Sequence, residues 1–166
     1  MFREMRRNKQ ALSEEETRAI LARGSAGTLA VLGDEGYPYA VPLSYVYHGG
    51  RLYFHCAKTG HKLDAIRACD KVSFSVIDKN DVIPEKFTTV FRSAIVFGRA
   101  RIVTESEELM SAMRALAAKY SPEETEASFQ KEMHGHTGAL CVLALDVEHM
   151  SGKQAKELIM ERKNTP

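Results

Sequence analysis

Short apolar runs alternate with tight turns between residues 28 and 104, and this alternation limits the possible folds of the chain. The segments Gly33–Gly36 and His48–Gly50 contain the glycine and polar residues that are typical of hairpin turns. The predicted strands cover residues 28–32, 37–47, 51–56, 71–78, 88–104 and 138–147. Five or six strands joined mainly by tight turns predict an antiparallel barrel. Because no G-x-G-x-x-G follows a strand, a Rossmann dinucleotide fold is disfavoured.

Helices are predicted at the ends of this barrel. Ser13 and the three glutamates after it form a capping box, which predicts a helix that ends near Gly24. Apolar residues between Leu109 and Tyr120 recur at helical spacing, and this methionine-rich stripe is interpreted as core packing. A short helix is predicted over about residues 60–68. Another is predicted to start at Ser121, with Pro122 in the first helical position, and to carry Phe129 and Met133. A final helix is predicted to open at Ser151–Gln154 and to end at about Arg162. A polar loop containing Pro84 is predicted between the two long strands.

Length and charge narrow the class of protein. The chain has 166 residues, which suits a single domain over residues 1–166. A formal net charge of +1 gives no support for a nucleic-acid or membrane partner, and no apolar run reaches the length of a membrane span. The charged N-terminus lacks the apolar core of a signal peptide, so a cytoplasmic location is expected. Cys56, Cys69 and Cys141 show no paired metal spacing and are expected to be reduced thiols.

The strand predicted over residues 37–47 is interrupted by Pro38 and Pro42. Proline cannot donate to a strand ladder, so this strand is expected at an edge or a bulge. An interrupted strand leaves neighbouring backbone groups free to bond the edge of a heterocycle. Five tyrosines lie on the paired strands here: Tyr37, Tyr39, Tyr45, Tyr47 and Tyr53. They are interpreted either as packing residues or as walls for a flat ring.

The segment from Phe54 to Asp64 is predicted to pass from an apolar strand through a polar turn into a helix. Thr59 is a suitable N-cap, Gly60 permits close approach of a ligand, and Lys62 places a cation in the first helical turn. A helix N-terminus offers unpaired N–H groups and the positive end of the dipole, so the segment predicts a phosphate site. The alternative interpretation is that Lys62 is a solvated helix residue.

Metal and hydrolytic chemistry are not favoured by the pattern. His55 and Cys56 are adjacent in a predicted strand and therefore point to opposite faces, so no metal site is expected there or at the nearby His61. The pair His134 and His136 is interpreted as the polar end of a loop. No Ser-His-Asp spacing is present, and the glutamate pairs lie at predicted helix starts, where the dipole accounts for them.

Several of these segments together resemble a known family, the FMN-binding split barrel. More narrowly, they resemble the 5-nitroimidazole-resistance (Nim) branch of the pyridoxamine-phosphate-oxidase-like proteins, over about residues 1–160. The matching segments are residues 36–45, 52–57, 60–64, 91–100 and Met150–Lys153.

The resemblance implies a six-stranded antiparallel split β-barrel with flanking helices, which forms a homodimer with two FMN sites at the subunit interface. It implies that Val41, Pro42, Leu43 and Ser44 line the flavin edge, that Phe54, His55 and Cys56 run beneath the ribityl chain, and that His61 and Lys62 hold the phosphate. It also implies that Ser93 lies near the ring and that Lys153 comes from the partner subunit.

The expected activity is that of a flavin-dependent reductase of small, flat, electron-poor substrates of the nitroimidazole type, with His55 as the candidate catalytic residue. The chain has no tryptophan and lacks the arginine-rich ending of true pyridoxamine phosphate oxidases, which argues against the phosphorylated vitamin as substrate. Because the fold alone does not give the function, a non-catalytic flavin or haem carrier or sensor is the alternative.

Overall fold

Seven strands pair antiparallel in one sheet in the computed structural model of this chain. The structure describes residues 2–136 and 140–164, except for the side chains of residues 136 and 161–164. The strands are β1 Ala26–Leu32, β2 Pro38–Ser44, β3 Val46–His48, β4 Arg51–Ala57, β5 Lys71–Ile83, β6 Thr88–Ile102 and β7 Leu140–Gln154. The α-helices are α1 Glu14–Arg23, α2 His61–Ala68, α3 Ser106–Tyr120, α4 Glu126–His136 and α5 Lys156–Asn164. Short 3-10 turns cover Asn8–Gln10, Asp34–Gly36 and Pro84–Lys86.

The sheet curls into an open barrel because of one residue, Tyr45. The strand order is β2-β1-β5-β6-β7-β4-β3, so β2 and β3 lie at opposite edges of the sheet. Only Tyr45 separates Ser44 from Val46, and one residue spans at most about 3.6 Å of chain, so the two edges must adjoin. The predicted antiparallel split barrel is thereby confirmed. The sheet has seven strands because the strand predicted over residues 37–47 breaks at Tyr45.

Two apolar clusters lie on opposite faces of the sheet. The larger cluster fills the barrel, where Ile20 and Leu21 of α1 and Leu63 of α2 are fully buried against the inward side chains of the strands. The smaller cluster lies outside the barrel, where Ala112 and Leu116 of α3 cover the outer face of β3, β4 and β7. Helix α3 therefore covers one part of the outer surface of the barrel.

The observed helix starts agree only partly with those predicted from the sequence. The Ser13 capping box is present, because the hydroxyl accepts from the Glu16 amide and the Glu16 carboxylate accepts from the Ser13 amide. The prediction of Thr59 as N-cap is wrong: Gly60 is the N-cap of α2 and has a φ of 133°, which favours glycine. The predicted start at Ser121 is also wrong, because α4 begins after Thr125, whose hydroxyl accepts from the Ser128 amide.

Two long strands extend further than the sequence suggested. The polar loop around Pro84 is mostly strand, since β5 continues to Ile83 and pairs there with Thr88 of β6. Strand β7 continues through Ser151–Gln154, so the final helix starts at Lys156 and the prediction of a helix from Ser151 is wrong. A Cβ at Gly152 would lie 2.4 Å from the Thr17 hydroxyl, so glycine allows α1 to pack against β7. The predicted start of β7 at Gly138 lies outside the described residues.

No helix within residues 2–136 and 140–164 combines the length and the apolar character that crossing a membrane requires.

Candidate functional site

The edge position of β2 exposes alternate residues of the predicted flavin segment. Among the strands that the structure describes, β2 pairs only with β1, which confirms the edge position that the two prolines predicted. Val41 and Leu43 pack against the barrel core, whereas Pro42 and Ser44 are exposed on the outer face. A ligand beside β2 could therefore contact the side chains of Pro42 and Ser44 and the unpaired backbone groups of the edge.

The outer face of the sheet brings Pro42, Ser44, Ser93 and Lys153 onto one surface. Directly opposite residues of paired strands point to the same side, so register identifies this surface. One row of opposite residues crosses five strands as Pro42, Thr28, Ser75, Ile95 and Ser151. The adjoining positions include Ser44 opposite Ala26, and Ile77, Ser93 and Lys153 in a second row. We call these two rows, together with Ser44 and Ala26, the outer sheet face.

The outer sheet face exposes two isoleucines among mostly small polar side chains. Ile77 is 72% exposed and Ile95 is 42% exposed, and between them lie small side chains such as Ser75. Within a single chain Ser93 and Lys153 are directly opposite each other, and the Lys153 ammonium lies 5.4 Å from the centre of the Phe91 ring.

The start of α2 meets β2 and β4 at the predicted phosphate site. The His61 ring stacks on Tyr39 of β2 with 4.2 Å between ring centres, and its Nε2 lies 3.6 Å from an Asp34 carboxylate oxygen. The helix contains eight residues, and the Leu63 and Asp64 amides donate to the Gly60 carbonyl, so the His61 and Lys62 N–H groups have no acceptor within the helix. The half-buried Lys62 adds a cation to these donors. This set of donors fits one phosphate group of a flavin nucleotide.

The Cys56 thiol lies beside Lys62, although it faces the barrel core. Burial is the main influence and raises the pKa of Cys56 to about 11, while the nearby ammonium of Lys62 opposes that increase. Cys56 is directly opposite Cys141 of β7, so β4, β7 and α2 converge here. A neutral thiol in this position can pack beside a ligand but is a poor nucleophile.

The predicted residues of β4 divide between the two faces of the sheet. Phe54 is 1% exposed in the barrel core, so only its backbone is available to a ligand. His55 is exposed and points the other way, toward α3 and α4. Alternation along a strand therefore separates His55 from Phe54 and Cys56.

His55 and Ser44 line a cavity of about 600 Å³ that α3 and α4 cover. Its other lining residues are Met113, Leu116, Ala117, Tyr120, Ser121, Glu124, Ser128, Phe129, Glu132 and Met133. The cavity thus joins the end of the β2 edge to the one histidine that the sequence singled out as catalytic. Its volume and mainly apolar walls suit a small ring compound.

The two helices over the cavity are linked by Arg114 and Glu126. The guanidinium of Arg114 donates through both terminal nitrogens to the Glu126 carboxylate, lowering the pKa of that carboxyl to about 2. The same guanidinium lies 4.9 Å from the centre of the Phe129 ring. Phe129 and Met133 of α4 line the same cavity as His55, and these contacts tie that part of α4 to α3.

Sequence reasoning missed the α3–α4 part of this site. The methionine stripe was interpreted as core, and Leu116 does pack there, but Met113 also lines the cavity. The available signal was the spacing of Phe129 and Met133, which are four residues apart and share one face of the predicted helix. This spacing could not show that α4 lines the same cavity as β4.

His134 belongs to neither a loop end nor a strand, so that interpretation is wrong: it lies in α4, and its Nδ1 is 2.7 Å from the Gln130 carbonyl oxygen. The side chain of His136 lies outside the described part of the chain. In the part that is described, no cluster of three or more histidine, cysteine or acidic residues could hold a metal ion.

Most of the sequence matches a known family. A family model described as pyridoxamine 5'-phosphate oxidase matches residues 13–154. The uncharacterized protein RA0666 of Rhizobium meliloti (strain 1021) is 35% identical over 69 residues, which are 42% of this chain and 44% of that protein. The alignment therefore spans less than half of that relative.

Solved structures share the fold at low sequence identity. The conserved hypothetical protein Rv2991 from Mycobacterium tuberculosis has a TM-score of 0.79 and 19% identity, covering 93% of this chain and 92% of that one. A candidate 5-nitroimidazole antibiotic resistance protein from Bacteroides thetaiotaomicron VPI-5482 has a TM-score of 0.70 and 19% identity, covering 87% and 86%. The FAD and heme binding protein from Mycobacterium smegmatis has a TM-score of 0.66 and 22% identity, covering 92% and 80%. With the family match over most of its length, the chain belongs to the pyridoxamine 5'-phosphate oxidase family.

Proposed function

We propose that this protein is a homodimeric FMN-binding flavoprotein that reduces small, flat, electron-poor substrates of the nitroimidazole type. The observation that carries the proposal is the continuity of three features around β2: the cationic start of α2, the exposed strand edge and the cavity containing His55. They would receive, in order, the phosphate, the ring edge and the substrate of a flavin enzyme. Membership of the family and the similar fold of the candidate nitroimidazole-resistance protein support it.

FMN is proposed rather than FAD because a single cationic helix start adjoins β2. Lys62 and the first amides of α2 match one phosphate, and there is no dinucleotide fingerprint in the sequence. Similar structures include FAD-binding proteins, so the choice needs a direct test. The purified protein should release FMN on denaturation, identified by chromatography. Release of FAD alone, or no flavin uptake on reconstitution, would refute this assignment.

The homodimer is proposed because the outer sheet face needs a cover. Ile77 and Ile95 expose apolar surface next to Pro42 and Ser93, which the resemblance assigns to the flavin site. A second copy of the chain on this face would bury the isoleucines and would add its own Lys153 to the site. The expected cytoplasmic location and the single domain over residues 1–166 are parts of the same proposal.

Bound flavin would supply the redox chemistry by accepting and donating electrons. The residues of this chain would bind and orient the flavin and the substrate and would supply a proton to the substrate. Lys62 and the start of α2 would hold the phosphate, Pro42 and Ser44 would flank the ring edge, and α3 and α4 would exclude water from the cavity. His55 would donate a proton to the reduced substrate, since histidine exchanges protons near neutral pH.

Replacing His55 tests this role. His55→Ala should retain FMN and the dimer but lose about a hundredfold in nitroaromatic reduction per bound flavin, the usual scale for a general acid. Steady-state rates normalised to flavin absorbance measure the loss. If stability or flavin content falls while the rate per flavin is unchanged, His55 is structural.

A carrier or sensor of flavin or haem is the second candidate, favoured by the similar fold of the FAD and heme binding protein. Absorbance of the purified protein distinguishes the two cofactors. Bleaching of a flavin spectrum by reduced nicotinamide, followed by reoxidation on adding a nitroimidazole, would support the reductase and exclude a carrier without turnover.

A further inference from the structure

A second cavity, of about 580 Å³, lies between the N-terminal segment, the start of β6 and the start of α5. Its basic lining residues are Arg6, Arg7 and Lys9 of the N-terminal segment and Lys156 of α5. Glu157 is the one acidic residue among the lining residues that the structure describes. We call this space the basic cavity. It shares no lining residue with the cavity that contains His55.

The four cations of the basic cavity are not neutralised by the protein. Among the side chains that the structure describes, no carboxylate forms an ion pair with any of them. The arginines of β6 differ, because Arg92, Arg99 and Arg101 each pair with an acidic side chain. Like charges around one cavity repel each other, so an anion between them would lower the electrostatic energy.

The uncharged walls of the basic cavity suit the other parts of a nucleotide. Asn8, Thr88 and Thr89 supply hydrogen-bonding groups, and Phe91 supplies an aromatic ring. Gln10 also lines the cavity, and its buried Oε1 accepts no hydrogen bond. Because buried polar atoms are normally paired, this part of the wall lacks a donor. Cations for phosphate, an acceptor for a hydroxyl or amide and an aromatic surface for a ring are together the needs of a nucleotide.

Phe91 connects the basic cavity to the outer sheet face. The Lys153 ammonium lies 5.4 Å from the centre of the Phe91 ring, and Lys153 is directly opposite Ser93. Phe91 and Ser93 are alternate residues of β6, about 7 Å apart along the strand. The resemblance places Ser93 near the flavin ring, so a ligand held in the basic cavity would extend toward the proposed flavin site.

From these contacts we infer that the basic cavity binds the phosphates of a nicotinamide dinucleotide, the electron donor of the proposed reductase. The inference rests on the proposed function for the identity of the nucleotide. The reduced nicotinamide ring would transfer one hydride, which carries two electrons, to the oxidised flavin and would leave as the oxidised ring. The phosphate site at the start of α2 remains that of the flavin.

Three oxidised ligands test the phosphate contacts without turnover: NADP⁺, NAD⁺ and nicotinamide riboside, in order of decreasing phosphate content. Calorimetry on the purified protein with added FMN gives their dissociation constants. We expect each step in this order to weaken binding about tenfold, the scale of one charge-assisted contact. The differences should shrink between about 50 and about 500 mM salt, because salt screens exposed charges. Equal affinities, or no binding of NADP⁺, would overturn the inference.

Variants connect the affinity to the cations. The Arg7→Ala, Lys156→Ala double variant should weaken NADP⁺ binding at least about tenfold and leave the riboside unchanged. The Arg67→Ala, Lys131→Ala double variant is the matched control, because it removes the same two charges from exposed positions outside the cavity. It should leave all three affinities unchanged. Equal weakening by both double variants would show a general effect of net charge and would refute the site.

Two other occupants are outcomes of the same experiment. If the Arg7→Ala, Lys156→Ala protein loses FMN while its NADP⁺ affinity is unchanged, the basic cavity holds the flavin phosphate instead. If the wild-type protein binds a DNA duplex more tightly than NADP⁺, and this double variant weakens that binding, the cations bind nucleic acid instead. Either result overturns the inference.

Binding and turnover separate this inference from the proposed function. If the three ligands bind in the expected order but no nitroaromatic is reduced, the reductase proposal fails and the nucleotide site stands. If NADPH drives reduction and the Arg7→Ala, Lys156→Ala protein keeps its NADP⁺ affinity and its KM for NADPH, the nucleotide site fails and the reductase proposal stands.

Discussion

Lys62 illustrates how a single residue acquires its role from neighbours distant in sequence. Its ammonium is close enough to the Cys56 thiol to affect the pKa of that group, and its helix begins beside Tyr39 of β2 through the stacked ring of His61. The residue is half-buried rather than freely solvated. Both observations favour the phosphate interpretation over that of a solvated helix cation.

Replacing Lys62 should weaken only the binding of the phosphate group of FMN. A charge-assisted contact contributes about 1.5–3 kcal/mol. That free energy corresponds to a change in dissociation constant of about ten- to a hundredfold, so Lys62→Ala should weaken FMN binding by about this factor. Fluorescence titration should show riboflavin affinity unchanged.

Arg67→Ala is the control on the same helix, because Arg67 forms only an exposed ion pair with Asp64. If Lys62→Ala weakens FMN and riboflavin equally, Lys62 supports the fold and does not bind phosphate.

At the scale of elements, Asp78 connects α1 to the two long strands. Its carboxylate is 6% exposed and accepts hydrogen bonds from Arg23 at the end of α1 and from Arg92 of β6. The side chain lies where the register of β5 and β6 shifts between Ile77 and Lys79. The hydrogen bond from Arg23 is the main cause that lowers the pKa of Asp78.

Asp78→Asn should destabilise the protein by about 1.5–3 kcal/mol at pH 7, since it removes a buried charged acceptor of two hydrogen bonds from arginines that are themselves partly exposed. The pKa of this carboxyl is lower in the folded state, so its contribution is present above the unfolded pKa of about 3.9 and is lost as pH falls. Urea unfolding at pH 7, 5 and 3 should show the difference from wild type shrinking toward pH 3.

Asp81→Asn serves as the control for that series, because Asp81 lies on the same strand in an exposed pair with Lys79. It should change stability by less than about 1 kcal/mol at each pH. A difference for Asp78→Asn that stays constant from pH 7 to pH 3 would contradict the assigned role of the ion pair.

At the scale of the whole molecule, the open barrel depends on the contact at Tyr45, where the β2 and β3 edges of the sheet adjoin. The Tyr120 hydroxyl accepts from the Tyr45 amide at 2.9 Å and lies 2.7 Å from the Tyr45 carbonyl oxygen, while the Tyr45 hydroxyl donates to the Leu21 carbonyl at 2.8 Å. Tyr120 of α3 thus links to the backbone at Tyr45, where β2 and β3 adjoin without pairing with each other. On the outer sheet face, Ile77 and Ile95 remain exposed in the single chain.

The proposed dimer predicts that a charge on the outer sheet face separates the subunits. Ile95→Asp should convert the dimer to monomer at micromolar concentration and release FMN, because an unpaired carboxylate would be buried at the interface. Sedimentation equilibrium should then give a mass near 18.5 kDa, the mass of one chain.

Met160→Asp is the control for the interface, since Met160 is 59% exposed on α5. It should leave mass and flavin content unchanged. An Ile95→Asp protein that remains a flavin-loaded dimer would show that the subunits associate through another surface.

The sequence by itself determined the local features of this protein. Turn residues, alternation and the Ser13 capping box predicted the antiparallel strands and α1, because these signals depend on neighbours a few residues away. Proline in β2 predicted its edge position for the same reason. Where the local signal was polar, as around Pro84 and Ser151, strand pairing extended the sheet against the local preference.

Only the tertiary structure decided how the site is assembled. The break at Tyr45 brings the sheet edges together, register places Pro42 and Lys153 on one outer face, and α4 lines the same cavity as His55. These relations join residues far apart in sequence and depend on how the whole sheet curls and packs. No pattern within a short segment records them, which is why the sequence named His55 as a candidate and predicted two helices after residue 104, but did not predict that these helices line a cavity with it.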